Sequence, residues 1–198
     1  DFEVLTAAAN QAGLALGKAR LFAETQRRAA EMARLNDLTR AALETADFSH
    51  MLQLLADRLG ELINADGCYI TLWDEARQMT IPAAASGPVR ETYRAMHVEP
   101  GELTMTESVL RAGRVLVAED VFNTPYMSPR IAAQFPTRSM LGLPLIAGDQ
   151  RLGAALIGFD QPHHFTPDEI ALGEQAARQI ALAVAKAQLD QAKNRHDL

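Results

Sequence analysis

The residues able to do chemistry are few: one cysteine, five histidines, and an unusual mixture of aromatic and polar side chains between positions 122 and 139. Cys68 has no second thiol to pair with and sits in the apolar run CYITLW. That setting predicts burial, a raised thiol pKa and an inert side chain, so no catalytic role is expected of it. His163 and His164 are adjacent, and neighbours in extended chain point to opposite sides, so they do not form a chelating pair. No metal site is expected. His97 stands alone in the middle of the chain, where a solvated or hydrogen-bonded ring is the usual outcome. The segment holding Phe122, Asn123, Tyr126, Arg130, Phe135, Arg138 and Ser139 differs, because aromatic walls with a few polar groups are what a small-ligand site needs. Alternation along Cys68 to Trp73 puts Tyr69, Thr71 and Trp73 on one side, assigned here to the same site. The candidate ligand-binding set is Tyr69, Thr71, Phe122, Tyr126, Arg130, Phe135 and Ser139, of which Tyr69, Phe122, Tyr126, Phe135 and Ser139 are expected to converge on one concave face. The alternative is that the aromatics fill a core beneath a cap while the arginines are solvated.

Positioning such a set requires a sheet and something to cover it. Asp47 precedes an amphipathic stretch from Phe48 to about Ile63, with Met51, Leu52, Leu55, Leu59 and Leu62 at spacings of three and four, which predicts a capped helix. Cys68 to Trp73 and Met79 to Ala85 read as a hairpin around the polar turn 74–78. A short helix near 106–112 and a brief strand near 115–118 are expected next. Pro125, Pro129 and Pro136 then argue against long regular structure and leave only a helical turn near Ile131. Ser139 to Ala147 and Arg151 to Phe159 flank Gly148 and Asp149, a hairpin signal that marks the central strands. Thr166, Pro167 and Glu169 combine a hydroxyl cap, a first-turn proline and a glutamate three past the cap, predicting a helix to the C-terminus. Helices segregated from hairpins imply an α+β fold rather than a doubly wound one, with a long N-terminal helix in front.

That first helix is expected from Phe2 to about Glu44, without proline and rich in alanine. Leu14, Leu21 and Leu35 recur on sevens with Met32 nearby, the spacing of a coiled-coil seam interrupted by Arg28. A homodimer through Leu14, Leu21, Met32 and Leu35 is expected, since these would otherwise expose an apolar stripe; a single amphipathic helix packed on its own domain is the alternative. Arg27 and Arg28 read as a solvated face. The segment Asn10 to Leu21, NQAGLALGKARL, also repeats as Arg178 to Leu189, RQIALAVAKAQL, with six identities at an offset of 168. A repeat of this kind marks a recurring structural unit, so the chain is expected to start on the last helix of one module and carry a second complete, a piece of a tandem array.

Composition narrows the classes of function. A chain of 198 residues, 48% hydrophobic, can close one good core with a helical extension. Its net charge of -6 works against phosphate-backbone binding, and no nucleic-acid partner is expected. No apolar run approaches the ~20 residues of a membrane helix, and the start DFEVLTAAAN lacks the marks of a signal peptide. No membrane contact by this segment is expected, and a lone cysteine needs no oxidising compartment; a cytoplasmic location is expected.

The stretch from Ser139 to Leu189 resembles the second half of a GAF domain: Leu141, Pro144, Leu145, Gly148, Gly153, Phe165, Thr166 and Glu169 occupy the places of its strand, glycine turn, second strand and helix start. ADGCYITLWDE, from Ala65, is similar to the family's first strand, and GRVLVAEDV, from Gly113, to its third. The resemblance implies a GAF/PAS-like sensory module over 47–191, a central antiparallel sheet with helices on one face and a pocket-capping irregular segment on the other, with 1–46 a signalling helix continuing from a preceding GAF module and 192–198 the start of a C-terminal linker. It implies a non-catalytic regulatory role: a small ligand is bound and its state relayed through coiled-coil helices to an output domain of the histidine kinase, cyclase or phosphodiesterase type. A dimerising spacer without a physiological ligand is the alternative. Relatives that reduce free methionine sulfoxide need a second thiol, absent here. Relatives that hold a bilin attach it to a mid-domain cysteine, and no cysteine lies between Ser86 and Pro136, so no bilin is expected at that place. Haem would depend on His97 and is not expected. The cyclic-nucleotide signature Asn-Lys-x-x-x-Phe-x-x-x-Asp-Glu is missing, although Asn123 and Phe135 stand in its region. The ligand stays unassigned, and neighbouring domains of the same polypeptide are the implied partners.

Overall fold

A computed structural model describes residues 1–196. Helix α1 (Phe2–Leu43) runs unbroken through the alanine-rich start, as a segment without proline should. The chain divides into two compact units, Asp1–Asn36 and Asp37 onward. In the first, Leu14, Leu21 and Met32 are well exposed, at 67%, 65% and 68%. Leu35 is only 7% exposed in the single chain, so it is not part of the exposed stripe expected of it. The second unit takes in the last turns of α1, where Leu38 and Ala42 are almost wholly covered.

Within the second unit, Asp47 caps α2 (Phe48–Ile63) by accepting the backbone N–H of Ser49, and Asn64 ends it in the left-handed conformation. Strands β1 (Gly67–Asp74) and β2 (Met79–Ala85) form the first hairpin. A 3₁₀ turn (Gly87–Val89) leads into the five-residue helix α3 (Arg90–Arg94), neither of which the sequence reading anticipated. Helix α4 (Met105–Ala112), strand β3 (Leu116–Ala118) and the single turn α5 (Pro129–Ala132) follow, then the second hairpin, β4 (Ser139–Ala147) and β5 (Gln150–Phe159), and α6 (Pro167–His196). At the start of α6 the Thr166 hydroxyl accepts from the Glu169 N–H while the Glu169 carboxylate accepts from the Thr166 N–H, the reciprocal cap foreseen from the spacing. Both copies of the twelve-residue repeat are helical, one in α1 and one in α6.

The five strands form one antiparallel sheet in the order β2-β1-β5-β4-β3. Gly153, opposite Leu72 in β1, has φ +153°, and a Cβ there would lie 1.9 Å from the Thr71 carbonyl oxygen, so only glycine permits β1 and β5 to meet at this point. Pleating sends Cys68, Ile70, Leu141, Leu143 and Ile157 to one face, against α2 and α6, where Leu55, Leu59, Ile180 and Val184 are also fully buried. Side chains of this size contribute about 1.5–3 kcal/mol each on burial, and this layer is the main core. The opposite face receives Tyr69, Thr71, Met140 and Leu156 and is covered by α3, α4 and the irregular segment before β4. Helix α4 approaches closely because Gly142 of β4 has no side chain: a Cβ there would stand 2.8 Å from Val109 Cγ1. Among the described residues no helix is long and apolar enough to cross a membrane.

Candidate functional site

Beneath the α3–α4 cover lies a cavity of about 30 Å³, room for one or two water molecules. Its polar lining consists of hydroxyls: Tyr69 and Thr71 from β1, Thr80 from β2, Tyr93 from α3, and Thr104 and Thr106 at the start of α4. Four methionines, Met96, Met105, Met127 and Met140, supply flexible walls, with Ile131, Phe135 and Leu156 completing them. No lining side chain carries a charge.

The hydroxyls are bonded mainly to one another. Thr71 Oγ1 accepts from the Tyr93 hydroxyl at 3.2 Å and from the Thr106 hydroxyl at 2.8 Å. Thr80 and Thr104 share a 2.7 Å bond, and Thr104 Oγ1 also accepts the Glu107 N–H as the cap of α4. The Tyr69 hydroxyl is 2.8 Å from Thr137 Oγ1. Burial pushes the Tyr69 phenol up to about 12 and raises that of Tyr93 as well, so both stay protonated at neutral pH. Tyr69, Tyr93 and Phe135 meet edge to face, with centroids 4.9, 5.6 and 5.9 Å apart.

An ion pair spans the outside of this cover. Arg130 Nε donates to Glu102 Oε1 at 2.8 Å and Nη2 to Oε2 at 2.6 Å, a bidentate pairing, while Nη2 also reaches the His97 carbonyl at 2.8 Å. Ser128 Oγ donates to the same carboxylate at 2.8 Å. Glu102 has only 9% of its side chain exposed, and the Arg130 guanidinium, with smaller help from the Glu99 N–H and Ser128, holds its carboxyl down to about 2. A wider cleft of about 500 Å³ lies between the start of β2 and the 98–107 segment, and its Arg111 is already paired with Glu107.

Residues 45–185 match the family model for the GAF domain. The chain belongs to the GAF family. A search of curated proteins finds no match. Among solved structures, this GAF domain is similar to that of a phosphoenolpyruvate-protein phosphotransferase from Coxiella burnetii (TM-score 0.70, 22% identity, 82% of this chain and 96% of that one). It is also similar to the free methionine-R-sulfoxide reductase of Neisseria meningitidis (0.67, 16%, 83% and 93%) and to the second GAF domain of DevS from Mycobacterium smegmatis (0.56, 18%, 75% and 99%). At these identities the likeness is one of fold.

Three of the seven candidate residues, Tyr69, Thr71 and Phe135, line the GAF cavity; the other four lie elsewhere. Phe122 is 45% exposed with the Arg138 guanidinium 5.5 Å above its ring. Tyr126 packs against the outside of the cluster, and its carbonyl accepts from Ser108 Oγ. Arg130 is held in the clasp with Glu102. Ser139 is fully buried but ties segments together, donating to the Glu119 carbonyl and accepting the His163 N–H. Its neighbour Met140 faces the cavity, so pleating directs Ser139 away from it. The expected convergence of Phe122, Tyr126 and Ser139 with Tyr69 and Phe135 therefore fails. The sequence reading missed the threonines of β2 and α4, Tyr93 and the methionines; pairing β1 with β2 in register would have placed Thr80 opposite Trp73.

Cys68 is fully buried, with its thiol pushed up to about 12 by desolvation, and it sits on the helix side of the sheet. It does not front the cavity and does not fit a covalently held bilin there. The His97 ring is 78% exposed beside Glu99, away from the cavity, and does not fit an axial haem ligand. His163 stacks on Phe159 and contacts Glu169, whereas His164 contacts Glu119. Among the described residues no group of three or more acidic, histidine or cysteine side chains could hold a metal ion.

Proposed function

We propose that this GAF domain is a non-catalytic regulatory module that responds to a small ligand in the cavity beneath its α3–α4 cover. The change is passed through α1 and α6 to neighbouring domains of the same polypeptide, with an output of the histidine kinase, cyclase or phosphodiesterase type. The observation that carries this reading is the composition of the cavity wall. Four methionines, unbranched and easily repacked, surround hydroxyls that bond one another. Such a wall can rearrange without breaking the hydrogen-bond ladder of the sheet. The Neisseria neighbour is a reductase by name, but sulfoxide reduction needs an accessible thiolate, and the one thiol here is buried and protonated. A single buried thiol also suits a cytoplasmic setting.

We further propose a homodimer through the helices. Leu14 and Leu21 in α1 recur in the repeat as Leu182 and Leu189 in α6, and all four are more than half exposed although they lie seven apart on each helix.

Native mass spectrometry and an absorption spectrum of the protein isolated from its own host test the ligand reading, with a bound mass or visible band expected. A second reading, a dimerising spacer without a ligand, is favoured by the small volume of about 30 Å³. A protein that carries no added mass and gains no stability from any extract fraction supports the spacer.

A further inference from the structure

Chemical selectivity can be read from the cavity wall. Thr71 is 1% exposed, and its oxygen accepts two hydrogen bonds, from Tyr93 and Thr106, which fill both lone pairs. Its own hydroxyl proton has no acceptor among the described residues, leaving one buried donor at the cavity it lines. No cationic or anionic side chain reaches that cavity, and its two phenols stay neutral, so a charged group brought inside would remain uncompensated. Present volume is far too small for an organic molecule, so the cover must give way, and methionine walls permit that. The cover is tied from outside: Arg130 joins the α5 segment, which carries Met127, Ile131 and Phe135, to both ends of the 97–102 loop.

We propose that the cavity selects a compact, uncharged molecule bearing a hydrogen-bond-accepting oxygen, received by the Thr71 hydroxyl and admitted when the Arg130–Glu102 clasp opens. The proposal rests on the reading of this cavity as a ligand site. It argues against carboxylates, amines and cyclic nucleotides.

The test uses the full chain with ¹³C-labelled methionine methyls. Met96, Met105, Met127 and Met140 report on the cavity, and Met32, Met51 and Met79 serve as controls outside it. Acetophenone, benzoate and ethylbenzene are titrated as neutral acceptor, anion and neutral hydrocarbon. Acetophenone is expected to shift the four cavity methyls and to bind roughly tenfold more tightly than either comparator, the ratio one matched hydrogen bond supplies. Because Thr71→Val alone would release the Tyr93 and Thr106 hydroxyls toward the cavity, the change is made in a Tyr93→Phe, Thr106→Val background, where Thr71→Val should erase the advantage over ethylbenzene and Thr71→Ser should keep it. Glu102→Gln should speed association without changing the order of preference. Benzoate binding as tightly as acetophenone, or a preference that survives Thr71→Val in that background, overturns the selectivity while leaving a ligand site in place. An association rate unchanged in Glu102→Gln overturns the clasp. If no probe moves the cavity methyls in either the wild type or Glu102→Gln, the ligand-site reading itself falls.

Discussion

At the scale of single residues, burial and pairing set two titrations in opposite directions. Cys68 lies under α2 with no polar partner to favour its thiolate, and desolvation alone accounts for its raised pKa. Native protein at pH 8 is therefore expected to resist iodoacetamide and to react fully once unfolded in urea; alkylation of the native thiol at the rate of a free cysteine would contradict its placement. Glu102 behaves in the opposite sense, with its carboxyl held at about 2 chiefly by Arg130. A depressed carboxylate stabilises the fold above its unfolded pKa, near 4.3, and that contribution fades as pH falls through about 2. The stability gap between wild type and Glu102→Gln should thus be level above about pH 5 and shrink between about 4 and 2. Urea melts across that range measure it, and a gap that stays constant down to the acid limit would show that the carboxylate charge contributes nothing.

At the scale of elements, the two covers of the sheet are built differently. The α2–α6 side is a layer of mostly aliphatic side chains, whereas the α3–α4 side rests on short helices, threonines and methionines. Close approach of α4 depends on the missing side chain at Gly142. Gly142→Ala pushes a methyl against Val109 and Met105 and is expected to cost about 1–3 kcal/mol by overpacking. Chemical denaturation measures it, and a neutral result would mean that α4 moves aside freely. Phe135 closes the aromatic corner with Tyr69 and Tyr93 while remaining partly exposed. Phe135→Ala should cost about 3 kcal/mol, the low end for removing a phenylalanine, and should loosen the cavity methyls more than the α2–α6 core. Equal loosening on both faces in hydrogen exchange would make Phe135 an ordinary core residue.

At the scale of the whole molecule, the exposed leucines bear on association. Within α6 the sheet covers Ile180, Ala181 and Val184 and leaves Leu182 and Leu189 outside. The matching positions in α1 are Ala12, Gly13 and Leu16, beside the equally exposed Leu14 and Leu21. The repeat has thus kept its exposed leucines while changing the positions that face a sheet in α6. Leu14→Asp together with Leu21→Asp is expected to give monomers in sedimentation velocity with the thermal midpoint of the sheet unit unchanged. A wild type that sediments as a monomer at all concentrations would remove the dimer.

Local rules made much of this fold legible in the sequence. The caps at Asp47 and Thr166, the glycine turn at Gly148 and the period of each apolar run depend on neighbours within a few residues, so α2, both hairpins and the start of α6 could be read directly. The α+β class followed from their order. The cavity was not legible to the same degree. Tyr69 and Thr71 could be placed by alternation within one strand, but Met105, Met140 and Leu156 join them only through strand register and the approach of α4. Tyr93 rides on a helix too short to show a period. Aromatic and arginine content suggested that Phe122 and Arg130 faced a ligand, yet a guanidinium is more stable at the surface beside Glu102 than in an uncharged cavity. Local sequence therefore determined the elements, and the tertiary fold decided which side chains share the cavity, because burial selects partners by distance in space rather than along the chain.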